Sequence, residues 1–265
     1  MGSAGPGMQM RKPSPSEQLT PSQNRLLAAL PLAVGRRLLP RLESVALPAG
    51  MLLFRPHGKL RYVYFPVTGV VSLSYGIDVR GATAKAWPIG REGMVGISAF
   101  LGAPTRSARA EVQIAGHAFR LDADVLGAEF RRGGGLQELL LRYVQALIAQ
   151  ASQLGICGHY HSLNERLCGF LLRAFDQMLT NELDITQEKM ARLLGVRRIG
   201  ISEVAGGLQA AGIIRYSRGH IHLLNRRKLE ARACECHAAI EWEFGRLRPR
   251  RTASAFLRGG ARVPR

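Results

Sequence analysis

The sequence predicts an α+β chain: short antiparallel strands first, then one long helix, then a helix–turn–helix followed by a β-hairpin. Three observations predict it. Glycines break the segment from Leu42 to Leu121 into short apolar stretches, the mark of an all-β sandwich, barrel or roll. A helical apolar period starts abruptly at Leu136, after three consecutive glycines. Two short helical patterns joined at Gly195 then run into a strand–turn–strand pattern that ends at Leu224.

Met1 to Pro21 is rich in Gly, Pro and Ser and reads as a disordered tail. Arg11 and Lys12 are not followed by an apolar core, so no secretory signal is expected. Asn24 to Leu39 reads as one short helix, with Leu26, Leu27, Leu30 and Leu38 on its buried face. The strand candidates are Met51-Leu-Leu-Phe54, Tyr62-Val-Tyr-Phe65 and Val70-Val-Ser-Leu73. Gly50, Gly58, Gly69, Gly76, Gly81, Gly90, Gly102 and Gly116 punctuate them.

Leu136, Leu140, Tyr143, Leu147, Ala151 and Leu154 recur at steps of three and four, close to a heptad seam. Such a stripe packs either on its own domain or on a second copy of the helix, and the spacing leaves both open. A second helix carries Leu163, Leu167, Phe170, Leu171, Phe175 and Met178 at helical spacing.

In the next segment Thr186 is placed to cap a helix whose buried face is Met190, Leu193 and Leu194. Lys189 stands where a capping box would need Glu or Gln. Gly195 ends that helix, and a second starts near Arg197 with Ile201, Val204, Ala205 and Leu208 inward and Gly212 as its stop. Arg197, Arg198, Ser202 and Glu203 lie on the outer side of its first turns, the end that enters the major groove in this motif. Arg215, Ser217 and Arg218 surround a hairpin tip suited to phosphate contact. A further helical stretch follows Leu229, and Arg246 to Arg265 reads as a disordered basic tail.

Composition supports a polyanionic partner. The chain has 37 Lys+Arg against 19 Asp+Glu, a net charge of +18, most of it Arg, which grips phosphate and guanine in bidentate fashion. No apolar run reaches the about 18 residues that a spanning helix needs. Neither a phosphate loop, a nucleophile elbow nor a paired acid/base constellation is present, so no enzyme is expected.

From Asn24 to Cys236 the chain resembles the Crp/Fnr family of transcription regulators. The resemblance rests on Ile185-Thr-Gln-Glu188, Leu194-Gly-Val-Arg-Arg198, Leu208-Gln209, Gly212-Ile-Ile-Arg-Tyr-Ser-Arg-Gly219 and Ile89-Gly-Arg-Glu-Gly-Met-Val-Gly96. It implies a cyclic-nucleotide-binding-like antiparallel β-roll, a long dimerisation helix and a winged helix-turn-helix. The implied boundaries are a tail over 1–22, a sensory roll over 23–132, a dimerisation helix over 133–160, a DNA-binding domain over 161–237 and a basic tail over 238–265. The expected partners are double-stranded DNA and a second copy of the chain, with RNA polymerase as a further candidate, no membrane, and a cytoplasmic location.

The family places a base-reading arginine where Arg198 stands and phosphate contacts at Thr186 and Glu188, of which only Thr186 suits a phosphate. Ile199 and Glu203 occupy its other two base-reading positions, so the operator is expected to differ from the family's archetype, with Arg197 and Ser202 as substitutes. A homodimer would set two recognition helices in successive major grooves, about 34 Å apart, on an imperfect palindrome. Signals from the roll would act through the junction from Cys157 to Leu163. Two other functions compete: a signalling module that binds cyclic nucleotide or another ligand, and a sequence-neutral architectural DNA binder.

Members that bind cyclic nucleotide use a Gly-Glu pair and an Arg-Ser pair. Arg106 and Ser107 match the second and define a possible effector pocket, but Met94 falls at the glutamate position. The expectation is therefore a roll that senses something else or nothing, with no cofactor. Cys157, His159, His161 and Cys168 near the helix junction, and Cys234-Glu-Cys236-His237, lack standard ligand spacing along the chain. They are expected to be thiols and imidazoles without a metal.

Overall fold

The computed structural model describes residues 19–56, 58–75, 87–102 and 108–247. Of the tail expected over 1–22, residues 1–18 lie outside the described residues, whereas Leu19 packs against the core and Pro21–Gln23 form a 3-10 turn; residues 248–265 also lie outside.

Seven strands among the described residues form two antiparallel sheets. One runs in the order β1 (Glu43–Leu47), β7 (Gly116–Asp122), β3 (Tyr62–Pro66). The other runs β2 (Leu52–Phe54), β6 (Ala108–Ile114), β4 (Val70–Tyr75), β5 (Trp87–Ile89). The expected apolar stretches fall within β2, β3 and β4, except that β2 begins one residue later, at Leu52. On β6, Ala108, Ala110, Val112 and Ile114 are buried in strict alternation, the period of a half-buried strand. Ala108, Ala110 and Val112 meet Leu47, Val71, Leu73, Ile89 and Ala118 between the sheets, whereas Ile114 packs with Val70 against the C-terminal helices. Gly116 is required where β6 turns into β7, because a Cβ there would lie 2.3 Å from the Thr68 carbonyl oxygen.

The single helix expected over Asn24–Leu39 is two: α1 (Arg25–Ala28) and α2 (Leu32–Leu38). Pro31 separates them, since it has no N–H to continue a helix and disfavours helical backbone at Leu30. The buried face is otherwise as expected, with Leu26, Leu27 and Leu38 enclosed. Short α3 (Ser98–Leu101) and α4 (Ala123–Arg131) complete the N-terminal part.

The long helix, α5, spans Gly135–Tyr160. Gly133 and Gly134, at φ 77° and 74°, turn the chain into it. Leu136, Leu140, Tyr143 and Leu147 are buried against the chain's own core, with Leu26, Phe65, Met94, Phe119 and Leu126. The seam that the spacing picked out is thus filled from within one chain. A different face stays open, with Leu141, Ile148 and Ile156 about half exposed or more.

The helical stretch expected after Leu229 is present, and it corrects the boundary that began a basic tail at residue 238. After α9 (Arg226–Glu230), α10 (Cys236–Gly245) packs on α5. Ile240, Phe244 and Leu247 join the N-terminal core, so the chain returns to the roll after leaving it. Their i, i+4, i+7 spacing is that of one helical face.

The C-terminal part contains α6 (Leu163–Met178), β8 (Glu182–Asp184), α7 (Gln187–Leu194), α8 (Arg198–Ala210), β9 (Ile214–Ser217) and β10 (His220–Leu223). The sheet order is β8-β10-β9, all antiparallel. Leu167, Phe170, Leu171 and Phe175 of α6 meet Met190, Ile201, Leu208, Ile214 and Ile221 in one core. This part is tied to the roll where Gln177 Oε1 accepts the Arg91 N–H at 2.7 Å and where Val70 and Ile114 pack into its core; Arg25 also pairs with Glu241 of α10 at 2.9 Å. Among the described residues no helix is long and apolar enough to cross a membrane.

Candidate nucleic-acid interface

The helix–turn–helix is built from local signals. Thr186 Oγ1 accepts the Lys189 N–H at 3.2 Å, capping α7. Gly195, at φ 66° and ψ 40°, ends the helix in the left-handed conformation. Arg166 of α6 donates to the Leu194 carbonyl at 2.6 Å, satisfying an end-of-helix acceptor. Met190 and Ala191 are buried, and Val196 packs against the same core.

Arg197 caps α8 with extended backbone, and Ile201, Ala205 and Leu208 bury its inner face. The outer face carries Arg198, Ile199, Glu203, Gly206 and Gly207, all exposed, with Arg197 beside them. Ile199 is 67% exposed, which leaves an isobutyl-sized apolar group standing among the arginines. Arg197 and Arg198 form no ion pair among the described residues, so their donors are free for an incoming partner.

Ser202 is held differently. Its hydroxyl donates to Gln187 Oε1 at 2.5 Å, with the Arg198 carbonyl 3.2 Å away as a second acceptor. It is half-buried, and it ties α8 to the start of α7. Gln187, which sequence reasoning passed over, is therefore part of the site's framework. Its signal was its place directly after the capping Thr186.

The hairpin closes as its sequence suggests. Ser217 pairs with His220 across a two-residue turn, and Arg218 and Gly219 both have positive φ, 47° and 89°. That is the backbone of a type I′ hairpin turn. Arg215, Ser217 and Arg218 are exposed along this wing. Gln209 Oε1 accepts the Tyr216 N–H at 2.7 Å, and the Tyr216 hydroxyl accepts the Gln187 N–H at 3.3 Å. Helix ends and wing are thus cross-braced by two glutamines and a tyrosine.

Arg106 and Ser107, the possible effector pocket, lie outside the described residues. Met94 does not face an open binding site: its side chain is fully buried, and both its backbone groups bond the Tyr143 hydroxyl. The small cavity beside it is lined by Phe54, Leu73, Ile89, Ile97, Ala108 and Leu147, with Ser98 as a polar member, and among the described residues its lining has no charged group.

The junction after α5 brings together residues that are far apart in sequence. Cys157 and His161 meet Cys234 and Cys236, whereas Cys168 donates to Asn164 Oδ1 and lies outside that group. Burial, and then the neighbouring thiols, push the Cys157 thiol up to about 12.

A family profile for the Crp-like helix-turn-helix domain matches residues 165–232. No curated protein matches the chain. Among solved structures, one described as a Crp/Fnr-family transcriptional regulator from Eubacterium rectale aligns with a TM-score of 0.58 at 19% identity, over 79% of this chain and 98% of that one. FixK2 from Bradyrhizobium japonicum aligns at 0.58 and 16% identity, over 73% and 98%. A CRP-family transcriptional regulator from Thermus thermophilus aligns at 0.56 and 18%, over 72% and 96%. At these identities the likeness is one of fold.

Proposed function

We propose that this chain, whose residues 165–232 match the Crp-like helix-turn-helix domain, is a transcription regulator of the Crp/Fnr family that reads a palindromic operator as a homodimer. The observation that carries this reading is the outer face of α8, where two arginines without ion-pair partners among the described residues flank exposed Ile199 and Glu203. Arg198 and Arg197 grip guanine edges, Ile199 contacts a thymine methyl, and Glu203 accepts from a cytosine amino group. Thr186, Arg215, Ser217 and Arg218 set the register on the phosphates. Ser202 positions α8 through Gln187 and reaches a base only by exchanging that partner.

The second copy docks along α5, through the open face of Leu141, Ile148 and Ile156. These residues are 51%, 63% and 49% exposed in the single chain, and their spacings of seven and eight residues keep them on one side of the helix. Residues 23–132 serve as the sensory part, 133–160 as the dimer helix and 161–237 as the DNA-binding part. The apolar cavity beside Met94 favours an effector other than a cyclic nucleotide, or none.

Selection from a random double-stranded library at physiological salt tests the proposal. Enrichment of a palindrome with half-sites one helical turn apart is expected. Binding that fades with salt and enriches no motif would leave only a sequence-neutral DNA binder.

A further inference from the structure

We propose that Cys157, His161, Cys234 and Cys236 form a tetrahedral zinc site that clasps the end of the long helix to the segment entering the last one. The four ligand atoms all lie within 4.8 Å of one another. Cys157 Sγ is 3.5 Å from Cys234 Sγ, and Cys236 Sγ is 3.4 Å from His161 Nδ1. Two thiolates bound to one tetrahedral zinc, each at about 2.3 Å, stand about 3.8 Å apart. The cluster already has that size. A multi-iron cluster would spread its protein ligands around a larger body, so this geometry fits a single ion. Three sulfurs and one imidazole in a tetrahedral set select zinc among the common divalent metals.

The surroundings support the ion as well as the ligands. His161 turns Nδ1 toward the sulfurs and places Nε2 3.2 Å from Glu235 Oε1. That is the carboxylate–histidine arrangement that fixes the ring of a metal ligand. Gln153 Nε2 donates to Cys236 Sγ at 3.1 Å. Half-buried Arg173 lies within electrostatic range of all three cysteines, and its buried Nε has no hydrogen-bond partner among the described residues. Three thiolates and one neutral imidazole around Zn²⁺ leave a net charge of −1, which this guanidinium offsets.

The ligands come from two places that bracket the DNA-binding part. Cys157 lies on the last turn of α5, and His161, four residues on, caps that helix, while Cys234 and Cys236 sit just before and at the start of α10. Everything from α6 to α9 is a loop closed by the clasp. The ion would fix how the helix–turn–helix leaves α5. It does not depend on which DNA the chain reads. Cys168 lies outside the site and supplies the control.

The test is elemental analysis of the untagged full-length chain purified from zinc-supplemented cells, together with Co²⁺ substitution. One zinc per chain is expected, replaceable by Co²⁺ with tetrahedral d–d bands and a sulfur-to-cobalt charge-transfer band in the near ultraviolet. Cys168→Ser should keep the ion, and Cys236→Ser and His161→Ala should lose most of it. If Cys236→Ser fails to fold, mercurial titration of the unmodified chain gives the answer: zinc should be released as three thiols react. Absence of both zinc and cobalt binding, a Cys157–Cys234 disulfide in its place, several irons per chain, or full zinc retention in Cys236→Ser would each overturn the proposal.

Discussion

The Tyr143 hydroxyl donates to the Met94 carbonyl at 2.8 Å and accepts the Met94 N–H at 2.9 Å, with both residues fully buried. One phenol thus satisfies both backbone groups of a roll residue from the middle of α5. Tyr143→Phe keeps the ring's packing but orphans a buried donor and a buried acceptor. It should cost about 2–4 kcal/mol of stability, measured as a lower midpoint in urea with an unchanged slope. No loss would mean that the loop around Met94 relaxes to find other partners.

Glu92 makes stability depend on pH in an unusual direction. Burial, opposed by the hydrogen bond that Glu92 Oε1 accepts from the Gly90 N–H, raises its carboxyl above the usual range. Its other oxygen has no hydrogen-bond partner among the described residues. A carboxyl whose folded pKa is raised contributes stability that is full below the unfolded value of about 4.3 and is lost as pH rises through the folded value. Glu92→Gln keeps the acceptor without the charge. It should therefore raise the melting temperature at pH 8 and change it little at pH 4. An equal shift at both pH values would contradict a buried, strained charge.

The parts legible in the sequence were those fixed by local rules. Thr186 caps and Gly195 stops a helix through neighbours within four residues, and Arg218-Gly219 meets a turn that demands two positive φ angles. Pro31 offered an equally local signal, and it divides what the apolar spacing alone reads as one helix. The face of α5 was not legible, because a stripe of Leu136, Leu140, Tyr143 and Leu147 suits a second helix and the chain's own roll equally well. The helical stretch expected after Leu229 was legible as α10, but its packing was not: Ile240, Phe244 and Leu247 carry a helical period that does not say they return to the N-terminal core. The cysteine cluster could not be read by spacing, since Cys157 and Cys234 stand 77 residues apart and meet only after α10 folds back on α5.

The dimer should come apart when its open face is charged. Ile148 is mostly solvent-exposed within one chain, so Ile148→Glu leaves the fold intact while burying a carboxylate at the proposed interface. Light scattering should show a monomer, and operator affinity should fall by about 100-fold or more as the second half-site contact is lost. A dimer that persists would move the interface away from this face.

The wing and the recognition helix should fail differently. Arg218→Ala removes a phosphate contact, so it should weaken binding to all sequences alike and lower the salt slope by about 1 for each half-site. Affinities measured across a salt series on operator and random DNA separate this from a base contact. A change confined to the operator would place Arg218 against a base.

The most direct measurement is the affinity ratio between a selected operator and a scrambled duplex at physiological salt, for the unmodified chain and for Arg198→Ala. A ratio of about 1,000 or more is expected for the unmodified chain. Arg198→Ala should cut it by about 10-fold or more, the loss of a bidentate guanine contact in each half-site. A ratio near one for the unmodified chain, or a ratio that Arg198→Ala leaves untouched, would contradict sequence reading by the exposed face of α8.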